Sequence, residues 1–207
     1  MDLWLWALIG YVSGSIPWGY IIAKAKGHDI TKMGSGNIGA ANVGRTLGIG
    51  YGVLTALLDV SKTFVPTYLA VIYGNEFAGF VTAMFALIGA VASIFLKFRG
   101  GKGFSAFTGG YLALAIATHA WGPIAVLVTL WVAIVGFTQM TGLANVVTII
   151  TAIPLHAMPA TRVLLPYVVF GAMVVLYTHW DNILLMLQGK LEEQRFSNKK
   201  RSITMRR

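Results

Sequence analysis

Seven apolar stretches follow one another along this chain, separated only by short polar segments, and that succession limits the fold more than any other feature. A helix needs about 20 mostly apolar residues to cross a hydrocarbon core roughly 30 Å thick. Residues 3–23, 49–73, 77–96, 104–118, 124–137, 143–156 and 163–180 meet or approach that requirement. Only 11% of the 207 residues are charged and 57% are hydrophobic, whereas soluble domains carry roughly 25% charged residues. The expected fold is all-α, a polytopic integral membrane protein with seven transmembrane helices. The fourth to sixth stretches are short or glycine-rich, and if they re-enter rather than cross, five full spans remain. Residues 1–190 are expected to form a single membrane domain, and residues 191–207 a basic tail.

Charge placement predicts an orientation. The first stretch carries Asp2 before it and Lys24 and Lys26 after it, with Gly14, Pro17 and Gly19 inside. That order fits a retained helix with its amino end outside better than a signal peptide. Fourteen of the 16 Lys and Arg residues then fall on the cytoplasmic side, with Lys62 in the membrane and Arg162 outside, as the positive-inside rule requires. The formal charge of +9 flanks apolar segments, so it suits anionic headgroups rather than nucleic acid. Cysteine is absent, which excludes disulfides and thiolate metal sites.

Three polar clusters share the predicted cytoplasmic face. The first runs Gly34-Ser35-Gly36-Asn37-Ile38-Gly39-Ala40-Ala41-Asn42-Val43-Gly44-Arg45, with no carboxylate between Thr31 and Gly50. Glycine-rich backbone can turn its N–H groups into an anion-binding nest, and Arg45 adds a fork matched to phosphate oxygens. The competing reading is a small-residue stretch that lets helices pack. The second is Phe98-Arg99-Gly100-Gly101-Lys102-Gly103, which lacks the spacing of a nucleotide P-loop; alone, it is an ordinary positive-inside loop. The third is His179-Trp180-Asp181-Asn182, where His179 and Asn182 are expected on one helix face; interfacial capping is the alternative. Lys32, Arg45, Lys97, Arg99, Lys102 and His179 stand against Asp29 and Asp181. Such a balance favours an anion, and more than one phosphate.

Asp59 and Lys62 lie one turn apart inside the second stretch. Charges at that depth are costly, and a structural ion pair that positions the loops is the favoured reading. No metal-ligand constellation and no Ser-His-Asp order is evident. The H-x-x-x-x-D pattern of soluble-facing acyltransferases is also missing, because Met33, Ile124, Thr161 and Leu184 stand five residues after the four histidines.

Together the clusters resemble the bacterial acyl-phosphate:glycerol-3-phosphate acyltransferase family of the PlsY type. Its three motifs resemble residues 35–45, residues 98–103 and Tyr177-Thr178-His179-Trp180-Asp181-Asn182-Ile183 with Gly189 following. Asp59 and Lys62 match a further pairing. The similarity spans about residues 13–192. It implies a bacterial inner-membrane enzyme moving an acyl group from acyl phosphate to the 1-hydroxyl of glycerol 3-phosphate, giving lysophosphatidic acid and phosphate. By that resemblance Ser35, Arg45, Lys102 and His179 hold glycerol 3-phosphate, and Asn182 orients the reacting groups. Backbone around Gly36, Asn37, Gly39, Ala40, Ala41 and Asn42 cradles acyl phosphate, with Gly100, Gly101 and Gly103 beside Lys102. No cofactor or metal is implied; a monomer amid membrane lipids is expected, with the active site and carboxyl tail cytoplasmic. The chain departs from the pattern at Ala90, where a histidine is usual, at Phe104-Ser105-Ala106, and at Thr63 after Lys62 in place of glycine. A paralogue using another donor or acceptor, and a transporter or lipid-binding protein with an anion site, are the alternatives.

Overall fold

The computed structural model describes residues 2–190, and every regular element among them is helical. The α-helices run α1 Leu3–Ser15, α2 Trp18–Ala25, α3 Ala40–Leu47, α4 Ile49–Tyr73, α5 Glu76–Val91, α6 Phe104–Ala117, α7 Gly122–Thr138, α8 Thr141–His156, α9 Leu165–Thr178 and α10 Trp180–Leu187. Four helical segments are long and apolar enough to cross a membrane: Leu3–Ala25, Ile49–Tyr73, Glu76–Leu96 and Pro159–Thr178. The three expected short stretches are the apolar helices α6, α7 and α8, of 14, 17 and 16 residues. At 1.5 Å per residue α6 covers about 21 Å, less than a bilayer core. The basic tail, with Lys199, Lys200, Arg201, Arg206 and Arg207, lies outside the described residues.

The first stretch is two helices rather than one interrupted helix. Pro17 has no N–H to donate and biases Ile16 away from helical angles; Ile16 sits at φ −59°, ψ 117°. The break leaves carbonyls without helical partners, and neighbouring helices supply donors. Ser93 Oγ reaches the Ser15 carbonyl at 2.5 Å, and Lys62 Nζ reaches that of Ile16 at 2.8 Å. The exchange is mutual. Pro66 inside α4 cannot donate to the carbonyl of Lys62 four residues earlier, and Ser13 Oγ donates to that carbonyl at 2.6 Å. α4, which carries Pro66, thus supplies a donor at the Pro17 break, α1 supplies one at the Pro66 defect, and Ser93 after α5 adds a third.

Small residues let α1 and α5 touch along their backbones. A methyl at Gly10 or Gly14 would strike the backbone of Thr82 or Ala86, and one at Gly89 the Tyr11 carbonyl. Close approach through glycine is a common driving contact between helices in lipid, where burial of apolar surface contributes little. The main core lies between α5, α6, α8 and α9, around Leu87, Phe107, Leu114, Ile149, Tyr167 and Val175. Phe107 and Tyr167 stack there at 5.2 Å, and Tyr167 Oη donates to the Phe107 carbonyl at 3.1 Å. A second cluster, Ala23, Ile30 and Val43, seals the underside of the polar loops. A mostly apolar groove of about 530 Å³ runs between α1, α2 and α4, lined by Trp6, Trp18, Leu58, Val65 and Leu69 among others; none of its lining residues belongs to the three polar clusters.

Candidate active site

The segment after α2, read from sequence as a polar loop, contains helix α3 and a 3-10 turn at Ile30–Lys32. Asn42 organises it. Only 1% exposed, its Nδ2 donates to the carbonyls of Met33 and Asn37 at 2.9 and 2.8 Å, and its Oδ1 accepts the Ser35 N–H at 3.0 Å. Gly34, at φ +57°, turns so closely over Asn42 Oδ1 that a side chain would collide with it. Asn37 Oδ1 accepts the Gly39 N–H at 2.9 Å. The side chain of Asn42, and Oδ1 of Asn37, therefore hold the loop's own shape. The amides of Gly36 and Gly39 are likewise engaged internally, Gly36 with the Met33 carbonyl at 2.9 Å. Ala40 and Ala41 head α3, where first-turn N–H groups lack helical acceptors, so the nest contracts to the start of that helix. Ser35 and Arg45 are exposed on the loop and on α3.

The second cluster follows α5 through a tight reversal in which Lys97 and Phe98 adopt φ 55° and 59°. The Gly101 N–H is fastened to the Ala90 carbonyl at 3.0 Å, and a side chain at Gly100 would collide with the Ala90 and Val91 backbone. Ala90, where the resemblance expects histidine, belongs to the core cluster, so backbone contact anchors this loop. Gly103, at φ 80°, caps α6. Thr63, the unexpected replacement for glycine, donates to the Ala106 carbonyl at 2.7 Å in the first turn of α6. The first cluster is adjacent: a Cβ on Gly101 would lie 3.7 Å from Ile38 and 3.8 Å from Asn37.

The third cluster is a hinge rather than a helix interior. α9 stops at Thr178, His179 breaks regularity at φ −99°, ψ 12°, and α10 restarts at Trp180. Thr178 Oγ1 donates to the Lys102 carbonyl at 2.7 Å. Lys102 Nζ donates to Asn182 Oδ1, which fixes that amide with its NH₂ end turned away from the ammonium. Burial lowers the Lys102 ammonium from its ordinary value; Asp181 opposes that shift and the positive charge of Arg45 adds to it. Arg45, Lys102 and Asn182, 137 residues apart at the extremes, thus converge on one basic patch.

His179 is buried at 2% exposure. Its Nδ1 lies 2.9 Å from the Val175 carbonyl and its Nε2 3.1 Å from Asn145 Nδ2. Burial first, then the charge on Lys102, pushes its pKa down to about 4. The imidazole is neutral and both nitrogens face protein partners. Asp59 and Lys62 pair at 2.8 Å in α4, and Lys62 acts on the α1–α2 break rather than on the basic patch. Asp29 pairs with Lys32 at 3.7 Å on the surface. Among the described residues no group of three His, Cys, Asp or Glu is arranged to hold a metal ion. Sequence reasoning missed Asn145, Trp131 and the role of Thr178. An amide inside an apolar stretch was the one available signal for Asn145.

The family model for glycerol-3-phosphate acyltransferase matches residues 4–189. A glycerol-3-phosphate acyltransferase of Endomicrobium trichonymphae is 36% identical over 205 residues, covering 95% of this chain and 98% of its relative. One of Rubrobacter xylanophilus is 38% identical over 190 residues, covering 89% and 92%. The crystal structure of PlsY (YgiH), an integral membrane glycerol 3-phosphate acyltransferase, in its glycerol 3-phosphate form superposes with a TM-score of 0.82 at 29% identity, covering 91% of this chain and 94% of that one. Its lysophosphatidic acid form gives a TM-score of 0.80.

Proposed function

The chain belongs to the glycerol-3-phosphate acyltransferase family, and we propose that it acylates the 1-hydroxyl of glycerol 3-phosphate with acyl phosphate as donor. The observation that carries this reading is the joining of three distant segments at Lys102, through Thr178, Asn182 and the Gly101–Asn37 approach. The products are lysophosphatidic acid and inorganic phosphate. In the reaction the hydroxyl oxygen bonds to the acyl carbon, the bond from that carbon to the phosphate oxygen breaks, and the departing phosphate takes the hydroxyl proton. A mixed anhydride has a good leaving group, so positioning and charge stabilisation suffice without a covalent enzyme intermediate.

Arg45 and Lys102, with the Ser35 hydroxyl, hold the phosphate of glycerol 3-phosphate. The amides heading α3 at Ala40 and Ala41 receive acyl phosphate, and the Asn182 NH₂ orients the reacting groups. His179 supports this surface from behind; its engaged nitrogens leave no role as general base. Asp59 and Lys62 position the loops through the α1–α2 break. The enzyme sits in the bacterial inner membrane as a monomer, with this patch cytoplasmic.

Purified protein given palmitoyl phosphate tests the assignment. Phosphate release is expected to require glycerol 3-phosphate and to match lysophosphatidic acid formed. Ser35→Ala, Arg45→Ala and Lys102→Ala are each expected to lower turnover, the cationic pair by about a hundredfold or more. Normal turnover in all three overturns the site, and release without acceptor overturns the reaction.

A further inference from the structure

Behind Lys102 lies a chain of hydrogen bonds whose direction is set at both ends. Trp131 on α7 presents Nε1 to Asn145 Oδ1 on α8 at 2.8 Å. Indole can only donate, so the amide oxygen must face it and the amide NH₂ must face the other way. That NH₂ meets His179 Nε2 at 3.1 Å, which makes Nε2 an acceptor. Nδ1 must then carry the proton it offers to the Val175 carbonyl at 2.9 Å. The Trp131 donor at one end and the Val175 carbonyl, which can only accept, at the other therefore require the same tautomer of this buried imidazole.

We propose that Asn145, oriented by Trp131, is a positioning residue for the acyl-transfer site, holding His179 as the neutral Nδ1–H tautomer at the α9–α10 hinge. The inference rests on the acyltransferase reading. The hinge it fixes is the segment that delivers Thr178 Oγ1 to the Lys102 carbonyl and Asn182 Oδ1 to the Lys102 ammonium. A protonated imidazole there would lose the Asn145 contact and set a second cation beside Lys102. The charged groups about the ring are Lys102, from the loop before α6, and through it Arg45 on α3 and Asp181 on α10. The residues that α7 and α8 present here, Trp131 and Asn145, are neutral. The amide keeps that side of the ring uncharged.

The test pairs Asn145→Asp with Asn145→Ala and Trp131→Phe in the full-length protein. A carboxylate accepts from Trp131 as the amide does, but facing Nε2 it favours the imidazolium. In Asn145→Asp the imidazole of His179, followed by NMR in ¹⁵N-histidine-labelled protein, is expected to titrate roughly one to three pH units higher. Its kcat is expected to gain an acid limb at that same pH. Asn145→Ala is expected to lower kcat about tenfold or more through lost alignment, with a smaller change in KM. Trp131→Phe, which leaves the amide free to rotate, is expected to loosen the Asn145 contact and shift the His179 Nε2 resonance, while the Val175 carbonyl keeps the proton on Nδ1. A purely structural Asn145 would alter melting temperature but neither the titration nor the pH profile. An unmoved His179 resonance with normal wild-type turnover overturns this inference alone. An inactive wild type overturns the acyltransferase reading, and with it any positioning role.

Discussion

At the scale of single residues, side chains of similar chemistry divide between making the site and holding it. Asn42 satisfies three backbone groups of the loop that carries Ser35, so Asn42→Ala strands the Asn37 carbonyl and the Ser35 N–H, while the Met33 carbonyl keeps the Gly36 N–H. Each buried polar group left unpaired costs about 1–3 kcal/mol, and loss of melting temperature together with activity is the expected result. Asn182 engages Lys102, and Asn182→Ala is expected to leave melting nearly unchanged while turnover falls. Histidine 179 gives a prediction in pH. Its folded pKa of about 4 lies below the ordinary value of 6.5, so the unfolded chain binds the proton first as pH falls. Stability is expected to be constant above about 6.5 and to decline towards 4. Equilibrium unfolding in detergent across that range checks the sign, and the decline should be shallower in His179→Gln.

At the scale of elements, the α1–α2 break and the α1–α5 contact place the first polar cluster. α2 continues from the break and abuts the first cluster, since a side chain at Gly19 would strike the Ile38 carbonyl. Lys62→Met is expected to destabilise by on the order of 3 kcal/mol, because it leaves Asp59 buried without its partner. The double variant Asp59→Asn with Lys62→Met should recover part of that loss in melting temperature. It should not recover kcat, since the Ile16 carbonyl still lacks the Lys62 ammonium that ties the α1–α2 break to α4 and keeps only the Trp18 N–H. Gly14→Leu forces α1 from the Ala86 backbone, and a drop in melting temperature larger than that of Val12→Leu on the exposed face is expected.

At the scale of the whole molecule, orientation follows from charge and is testable without background labelling, because the chain has no cysteine. Asp2→Cys is expected to react with an impermeant maleimide in intact cells, and Lys190→Cys only after the membrane is opened. The reverse pattern would place the basic patch outside and separate it from cytoplasmic glycerol 3-phosphate.

Hydropathy and charge by themselves determined that the chain is helical, membrane-embedded and basic at one face, because lipid forces backbone polar groups to pair within each segment. The order of Ser35 to Arg45 and of Phe98 to Gly103 likewise carried the family. Tertiary structure alone decided the rest. It showed that Asn42 and His179 turn inward, that Pro17 splits the first span while Ser13 and Lys62 satisfy the two proline defects, and that Trp131 and Asn145 stand behind the hinge. The physical reason is reach: apolar periodicity records what each segment does locally, whereas the partner of a hydrogen bond made across 34 or 80 residues is set by how helices pack.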